Sequence, residues 1–318
     1  MRLGFAVQVL GRPQLKSHDS RRWQNSPHLT VSLAYVRDIL AYLDSAGLRM
    51  YRLQSDLAPY ATHPDLPAFH RQVEESAAEL QHTGALARRL GIRLSFHAHP
   101  YTTLNALDAE VTQRSLRAVE ILAAILDAMG LDDDAVIVIH VGGLYGDRAA
   151  SLDRFAARYE ALPEAARRRL VLENDEERYS LADILEVHRR TDIRVVLDRL
   201  HFLLNNPEGL ALGEALRLAL ATWPSGQRPK VHYSSPRTEF KVTEEPDAEG
   251  QSVARARAAL WRNHSDFINP FEFIDFARLA QGARDFDVML EAKGKDLAAL
   301  RLREDLAAFA PDLAARLE

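Results

Sequence analysis

The sequence predicts an α/β fold, a single (β/α)8 TIM barrel over residues 1–318, and three observations point to it. Short apolar runs recur from one end of the chain to the other, and long amphipathic stretches separate them. The runs are rich in Val, Ile and Leu with little alternation, as expected of parallel strands buried on both faces. About eight such βα units in one chain of this length suit a closed barrel. The competing architecture is an open doubly wound sheet, but no glycine-rich phosphate loop follows the first run.

Taken in order, the first run is Leu3–Val7. It lacks the long apolar core and small-residue cleavage site of a signal peptide, and reads as strand one. The next strands are expected at Met50–Leu53, Arg93–His97, Ala135–His140, Arg169–Glu173, Arg194–Asp198, Lys230–Tyr233 and Asp287–Glu291. Helical periodicity fills 33–47, 69–91 and 109–130, and each stretch ends in a glycine, a common helix stop. The long polar stretch 234–269, with Pro236, Pro246 and Gly250, reads as the loop after strand seven, with a short helix expected over Ser252–Trp261. Long βα loops in barrels usually belong to the active-site face.

Composition bounds the chemistry. Hydrophobic residues make up 47% of the 318, enough for a large core. No run of about 18 apolar residues occurs, so no membrane span is expected. The absence of cysteine excludes disulfides and thiolate sites, so any metal must be held by His, Asp and Glu. It also suits a cytoplasmic protein. The net charge of −5 argues mildly against nucleic acid, because phosphate neutralisation needs clustered Lys and Arg. Carboxylates gathered for cations would give the same acidic balance.

The informative residues stand at the strand ends. Strand three ends in His97 and His99, strand four in His140, strand five in Glu173 and Asp175. Strand six ends in Asp198 and His201, strand seven carries Lys230 and His232, and strand eight ends in Glu291. The C-terminal ends of barrel strands surround one mouth, where catalytic residues sit. A buried carboxylate or imidazole needs a partner, and cations provide one. One catalytic zinc takes three protein ligands. The larger set here suggests two or three cations, an arrangement suited to in-line displacement at phosphorus. Glu176 and Glu177 read as solvated charge.

Nine stretches then carry a family resemblance. They are LGFAVQ at the start, YRLQSDLAPYATHP (51–64), LSFHAHPY (94–101), VIHVGGLYGD (138–147), LENDEERYS (172–180), VVLDRLHF (195–202), PKVHYSS (229–235), HSDFI (264–268) and VMLEAKGKD (288–296). In this order they resemble the UV damage endonuclease family and, more distantly, endonuclease IV. The resemblance implies a DNA repair endonuclease that nicks immediately 5′ to cyclobutane pyrimidine dimers and 6-4 photoproducts by metal-activated hydroxide attack. It implies double-stranded damaged DNA as the partner, with no membrane and no protein partner. It also implies a cytoplasmic location, nucleoid-associated in a bacterium. The cofactors implied are two or three divalent ions, manganese first, with zinc or cobalt as alternatives.

The resemblance also distributes roles. His97, His140 and Glu173 would hold one metal, with Glu173 bridging to a second that Asp198, His232 and Glu291 complete. His201 and His264 would hold the third. Lys230 matches a lysine placed beside the metals, which can be carboxylated. Glu173, Lys230 and Glu291 form the expected catalytic set. DNA or lesion contacts are expected from Phe5, Gln8, Arg52, His63, His99, Pro100, Tyr101, Lys293 and Lys295, with Arg12, Lys16, Arg148, Arg237 and Lys241 as further backbone candidates. His63 is open between ligand, phosphate contact and loop structure, and Phe5 between the lesion and the core.

Two departures stand out. A Gln-Tyr wedge follows the strand-three histidine in the family, whereas here Pro100 stands where Gln would be and His99 is extra. Strand one carries Phe5 in place of a tyrosine. The alternative functions are an apurinic-site endonuclease or a metal-dependent sugar isomerase of the same barrel class, with a non-catalytic binding barrel behind them.

Overall fold

The computed structural model describes residues 1–318, apart from the side chain of Lys241. Ten strands form. They are β1 (Leu3–Ala6), β2 (Met50–Arg52), β3 (Arg93–His97), β4 (Ile137–Ile139), β5 (Leu170–Glu173), β6 (Arg194–Val196), β7 (Lys230–Tyr233), β8 (Lys241–Pro246), β9 (Ser252–Arg257) and β10 (Asp287–Leu290). Eight of them pair in parallel in the order β6-β5-β4-β3-β2-β1-β10-β7. The seam between β6 and β7 is drawn together by one parallel bridge, Asp198 with His232, where the His232 amide donates to the Leu197 carbonyl at 2.9 Å. Helices surround this nearly closed barrel, as the sequence predicts.

Strand alternation then decides what faces inward. Side chains two apart share a face. On β4 and its flanks Val136 and Val138 pack with Val171, Val196 and Trp223 in a small cluster of their own. Ile137 and Ile139 join the large core beneath the helices instead. Continuing the inner rows by two residues reaches His140, Glu173 and Asp198. The same parity puts Leu3 and Phe5 of β1 in the outer core. Phe5 is fully buried, edge-to-face on Tyr51 with ring centroids 5.4 Å apart. It therefore cannot reach a lesion, and that expectation is corrected.

The helices carry clear start signals. Asp108 caps Ala109–Ala128 by accepting from the amides of Glu110 and Val111, and Ser180 forms a capping box with Asp183 ahead of Leu181–Thr191. The expected helix over 69–91 is divided into Gln72–Glu75 and Ala77–Arg89. At the break, the Ser76 hydroxyl pairs with Thr30 at 2.9 Å, and buried Gln72 accepts from the Leu29 amide at 2.7 Å. Tertiary hydrogen bonds prevail there over helix continuity. Among the described residues, no helix is long and apolar enough to cross a membrane.

The expected helix over Ser252–Trp261 does not form. Residues 241–257 make an antiparallel ribbon, β8 with β9, in register from Lys241 opposite Arg257 to Pro246 opposite Ser252. Its turn is closed by Asp247, whose carboxylate accepts from the amides of Glu249 (3.0 Å) and Gln251 (2.8 Å), and by Gly250 at φ +79°. That turn chemistry, with alternation in SVARAR, outweighs the helical propensity of Ala and Arg.

Candidate metal centre

Glu173 is the hub of the mouth. Its side chain is 1% exposed at the end of β5. One carboxylate oxygen lies 3.0 Å from His97 Nε2 and 3.5 Å from His140 Nε2. The other lies 2.7 Å from His232 Nδ1. His232 Nδ1 is also 3.3 Å from Glu291, whose carboxylate takes an ion pair from Arg52 at 2.5 Å. Two groups of metal-capable side chains result, His97/His140/Glu173 and Glu173/Asp198/His232/Glu291. Within each, one donor atom per residue lies within 4.8 Å of the others. Glu173 belongs to both.

His201 and His264 extend the same arc. Ring centroids step from His97 to His140 (5.3 Å), His140 to His201 (5.9 Å) and His201 to His264 (6.2 Å). Three rings are fixed through Nδ1 on backbone carbonyls: His97 on Ala98 (2.9 Å), His201 on Asn174 (3.0 Å) and His264 on Glu291 (2.7 Å). Such a bond occupies Nδ1 as a donor, so Nε2 is the nitrogen that a cation would take on displacing its proton. Asp198 caps the helix Arg199–Leu204, accepting from the His201 amide at 2.8 Å, so one residue pins both its own carboxylate and the histidine a turn later.

The charged groups of the mouth shift one another's titration. Burial opposes the charge of Glu173, yet His232 and His140 outweigh it and hold the carboxyl well below its usual range. Glu291 is likewise depressed against burial, chiefly by Arg52 and His232. Burial works against a charged His201, but Asp198, Glu173 and Glu291 raise it to about 9. Burial, with Arg93 and Arg52 nearby, pushes Lys230 well below the usual lysine range. Its ammonium donates to Ser95 Oγ at 3.3 Å in the barrel interior. Asp198 Oδ2, His232 Nε2 and His140 Nδ1 are buried with no hydrogen-bond partner. Such groups are costly and normally satisfied. A donor set of this composition fits divalent cations.

The mouth thus gathers His97, His140, Glu173, Asp198, His201, His232, His264 and Glu291, with Lys230 beneath them in the barrel interior. It leaves other sequence candidates elsewhere. Asp175 staples its own loop, accepting from the amides of Glu177 (2.9 Å) and Tyr179 (3.1 Å). His63 sits in an exposed loop whose amides and ring bond locally, with His70 Nε2 on its carbonyl at 2.8 Å. Arg52 is 12% exposed and paired with Glu291, so it holds a carboxylate in place. Gln8, His99, Pro100, Tyr101 and Lys293 are exposed on segments that follow β1, β3 and β10 at the rim. Tyr101 is 83% exposed, its ring 5.0 Å from that of His99. Lys295 is half-buried at the start of its helix, its pKa lowered by burial and by Arg52. The Lys241 side chain lies outside the described residues.

Several supporting residues escaped the sequence reading. Glu176, read as solvated charge, lies 3.8 Å from His201 Nε2. Asn174 accepts from the Asp198 amide at 2.9 Å and donates to its carbonyl at 3.2 Å. Buried Asn105 donates to the Gly143 carbonyl at 2.7 Å and fixes the turn after His140. Gly142 there has φ +115°, and a Cβ would stand 2.4 Å from Asn105 Oδ1. Only the alternation beside a ligand position could have signalled Asn174; nothing local signalled Asn105.

Fold and site together define a class: (β/α)8 barrels whose mouth carries a carboxylate-bridged donor set of the kind that holds divalent cations. Within it, the family model described as UV-endonuclease UvdE matches residues 17–311. The UV DNA damage endonuclease of Bacillus velezensis is 33% identical over 296 residues, covering 91% of this chain and 86% of its own. The crystal structure of SacUVDE superposes with a TM-score of 0.78 at 27% identity, covering 97% of this chain and 98% of its own. A D-psicose 3-epimerase of Clostridium cellulolyticum H10 shares the fold alone, with a TM-score of 0.53 at 13% identity over 98% of this chain and 92% of its own. The chain belongs to the UV-endonuclease UvdE family.

Proposed function

We propose that this chain is a DNA repair endonuclease that nicks duplex DNA immediately 5′ to UV photolesions, cyclobutane pyrimidine dimers and 6-4 photoproducts. The observation that carries the reading is Glu173, shared by two donor groups and ringed by histidines, with the unpartnered Asp198 Oδ2 beside it. Family membership supports the choice of phosphodiester chemistry over sugar isomerisation. His97, His140 and Glu173 would hold one divalent ion; Glu173, Asp198, His232 and Glu291 a second; His201 and His264 a third. Ions there would lower the pKa of water and stabilise charge on the departing oxygen.

The chain's own residues supply the rest. Arg52 keeps the Glu291 carboxylate charged and aimed. Locked imidazoles present Nε2 without needing to reorient, so little order is lost on loading. Lys230, its pKa lowered by burial in the dry barrel interior, offers an amine that carboxylation would turn into a further ligand. Tyr101, strongly exposed on the rim, serves as the stacking wedge at a lesion, and Pro100 stiffens its approach.

The test is a duplex carrying one defined cyclobutane dimer, run with Mn²⁺ and with EDTA beside undamaged and abasic-site duplexes. The expected result is a metal-dependent cut immediately 5′ to the dimer. Cleavage at the abasic site alone would replace this reading with an apurinic endonuclease.

A further inference from the structure

The ribbon β8–β9 supplies none of the candidate ligands. Its root is welded to the candidate centre. Pro236 pairs antiparallel with His264, the Arg237 amide donates to the Asn263 carbonyl at 2.7 Å, and the Ser265 amide to the Ser235 carbonyl at 2.9 Å. The ribbon therefore leaves the barrel at the same rung that holds a candidate ligand, and it stands at the mouth.

Its chemistry is uneven along its length. Arg255 and Arg257 are two apart on β9, so they share one face, and both are exposed. Arg237 and Arg262 flank the root. The acidic residues Glu244, Glu245, Asp247 and Glu249 gather at the turn end. Glu245 reaches Arg257 at 2.5 Å and Arg255 at 3.9 Å. Such exposed pairs are weak in water, and a phosphate can take their place. Large apolar side chains stand in solvent where the ribbon enters and leaves: Phe240 (72% exposed) on one side, Leu260 and Trp261 (63%) on the other. Exposed apolar groups beside a basic face mark a contact surface. A two-stranded ribbon is also one of the shapes that the major groove of B-form DNA admits.

We propose that this ribbon is a clamp on duplex DNA flanking the scissile phosphate. Arg255 and Arg257 contact backbone phosphates, and Trp261 packs on the base or sugar edge opened where the lesion kinks the duplex. The proposal rests on the endonuclease reading. It assigns the flank of the same site, and it explains how a chain of net charge −5 holds a polyanion: Arg255 and Arg257 are placed locally beside the mouth, and a phosphate takes the place of Glu245 on them.

The experiment measures binding of a labelled duplex, with and without one cyclobutane dimer, across about 50 to 200 mM salt. It uses the Glu173→Gln background with Mn²⁺, so that no nick intervenes. The doubly substituted R255A/R257A chain is expected to lose about 1.8 from the slope of log affinity against log salt on both duplexes, at about 0.9 per phosphate contact. R255K/R257K restores the slope. W261A lowers affinity for the dimer duplex by roughly tenfold with the slope unchanged. Wild-type slope in R255A/R257A, in a chain with unchanged circular dichroism, would overturn the clamp and leave the ribbon to another partner. Nicking by the wild-type chain is measured in parallel: no nick at the dimer removes the endonuclease reading, whereas wild-type nicking with an unaltered slope removes the clamp alone.

Discussion

Two buried carboxylates lie inside the same barrel, one at each end, and they are treated differently. Asp287, at the start of β10, is fully buried and faces arginines: Arg93 at 3.0 Å, Arg228 at 3.3 Å and Arg2 at 3.5 Å, with the Arg2 amide at 2.9 Å. Both its oxygens are engaged. Loose ends there are guanidinium nitrogens, Arg93 Nη2 among them, which no cation can use. Glu173, at the end of β5, faces histidines through His97 Nε2, His140 Nε2 and His232 Nδ1, and beside it stands a lone carboxylate oxygen on Asp198. Arginine is a permanent counter-charge, so the Asp287 end is finished as folded. Histidine can give up its proton and coordinate, so the Glu173 end keeps donors that a cation could use. The contrast separates a structural plug from a site more sharply than burial or charge would.

The comparison can be broken at either end. The largest effect on stability is expected from Asp287→Asn, which leaves Arg93 buried beside a neutral group. A loss of about 3–5 kcal/mol is expected in denaturant unfolding, with nicking per folded molecule retained. A smaller change would mean that the plug is not the keystone it resembles. Next comes the cation itself. Mn²⁺ at about a hundred times its dissociation constant should stabilise the native chain by about 2.7 kcal/mol, seen as a raised Tm. Asp287→Asn should keep that increment and Asp198→Asn should lose most of it. Smallest is Arg52→Ala, which frees Glu291 and should raise the Mn²⁺ concentration for half-maximal nicking by about tenfold. If Arg52 instead contacts DNA, the same variant weakens duplex binding with its metal requirement unmoved.

How much of this could be read from the residues alone follows from the same physics. A two-residue period along βα strands makes His97, His140, Glu173, Asp198, His232 and Glu291 legible, because each ends an inward row of a buried run. The same period places Phe5 outward, which motif matching alone misassigned. His264 is invisible to strand logic, since it arrives from a loop through the rung with Pro236. The family resemblance supplied it. The ribbon is hidden in the sequence because Ala and Arg favour helices locally, and only pairing with β8 shows the strand. Arg52 was legible as a residue at the mouth but not as the partner of Glu291, a contact 239 residues away in sequence.

On the proposed function, Glu173 bridges a cation cluster that cuts DNA. The most direct measurement counts the Mn²⁺ bound per chain by the wild type and by Glu173→Gln, and follows nicking of a dimer-bearing duplex on the same samples. Two or three ions are expected in the wild type. In the folded variant at least one ion is lost and the nicking rate falls by about a thousandfold, equivalent to about 4 kcal/mol. A variant that keeps the wild-type ion count and nicks at the wild-type rate would contradict it.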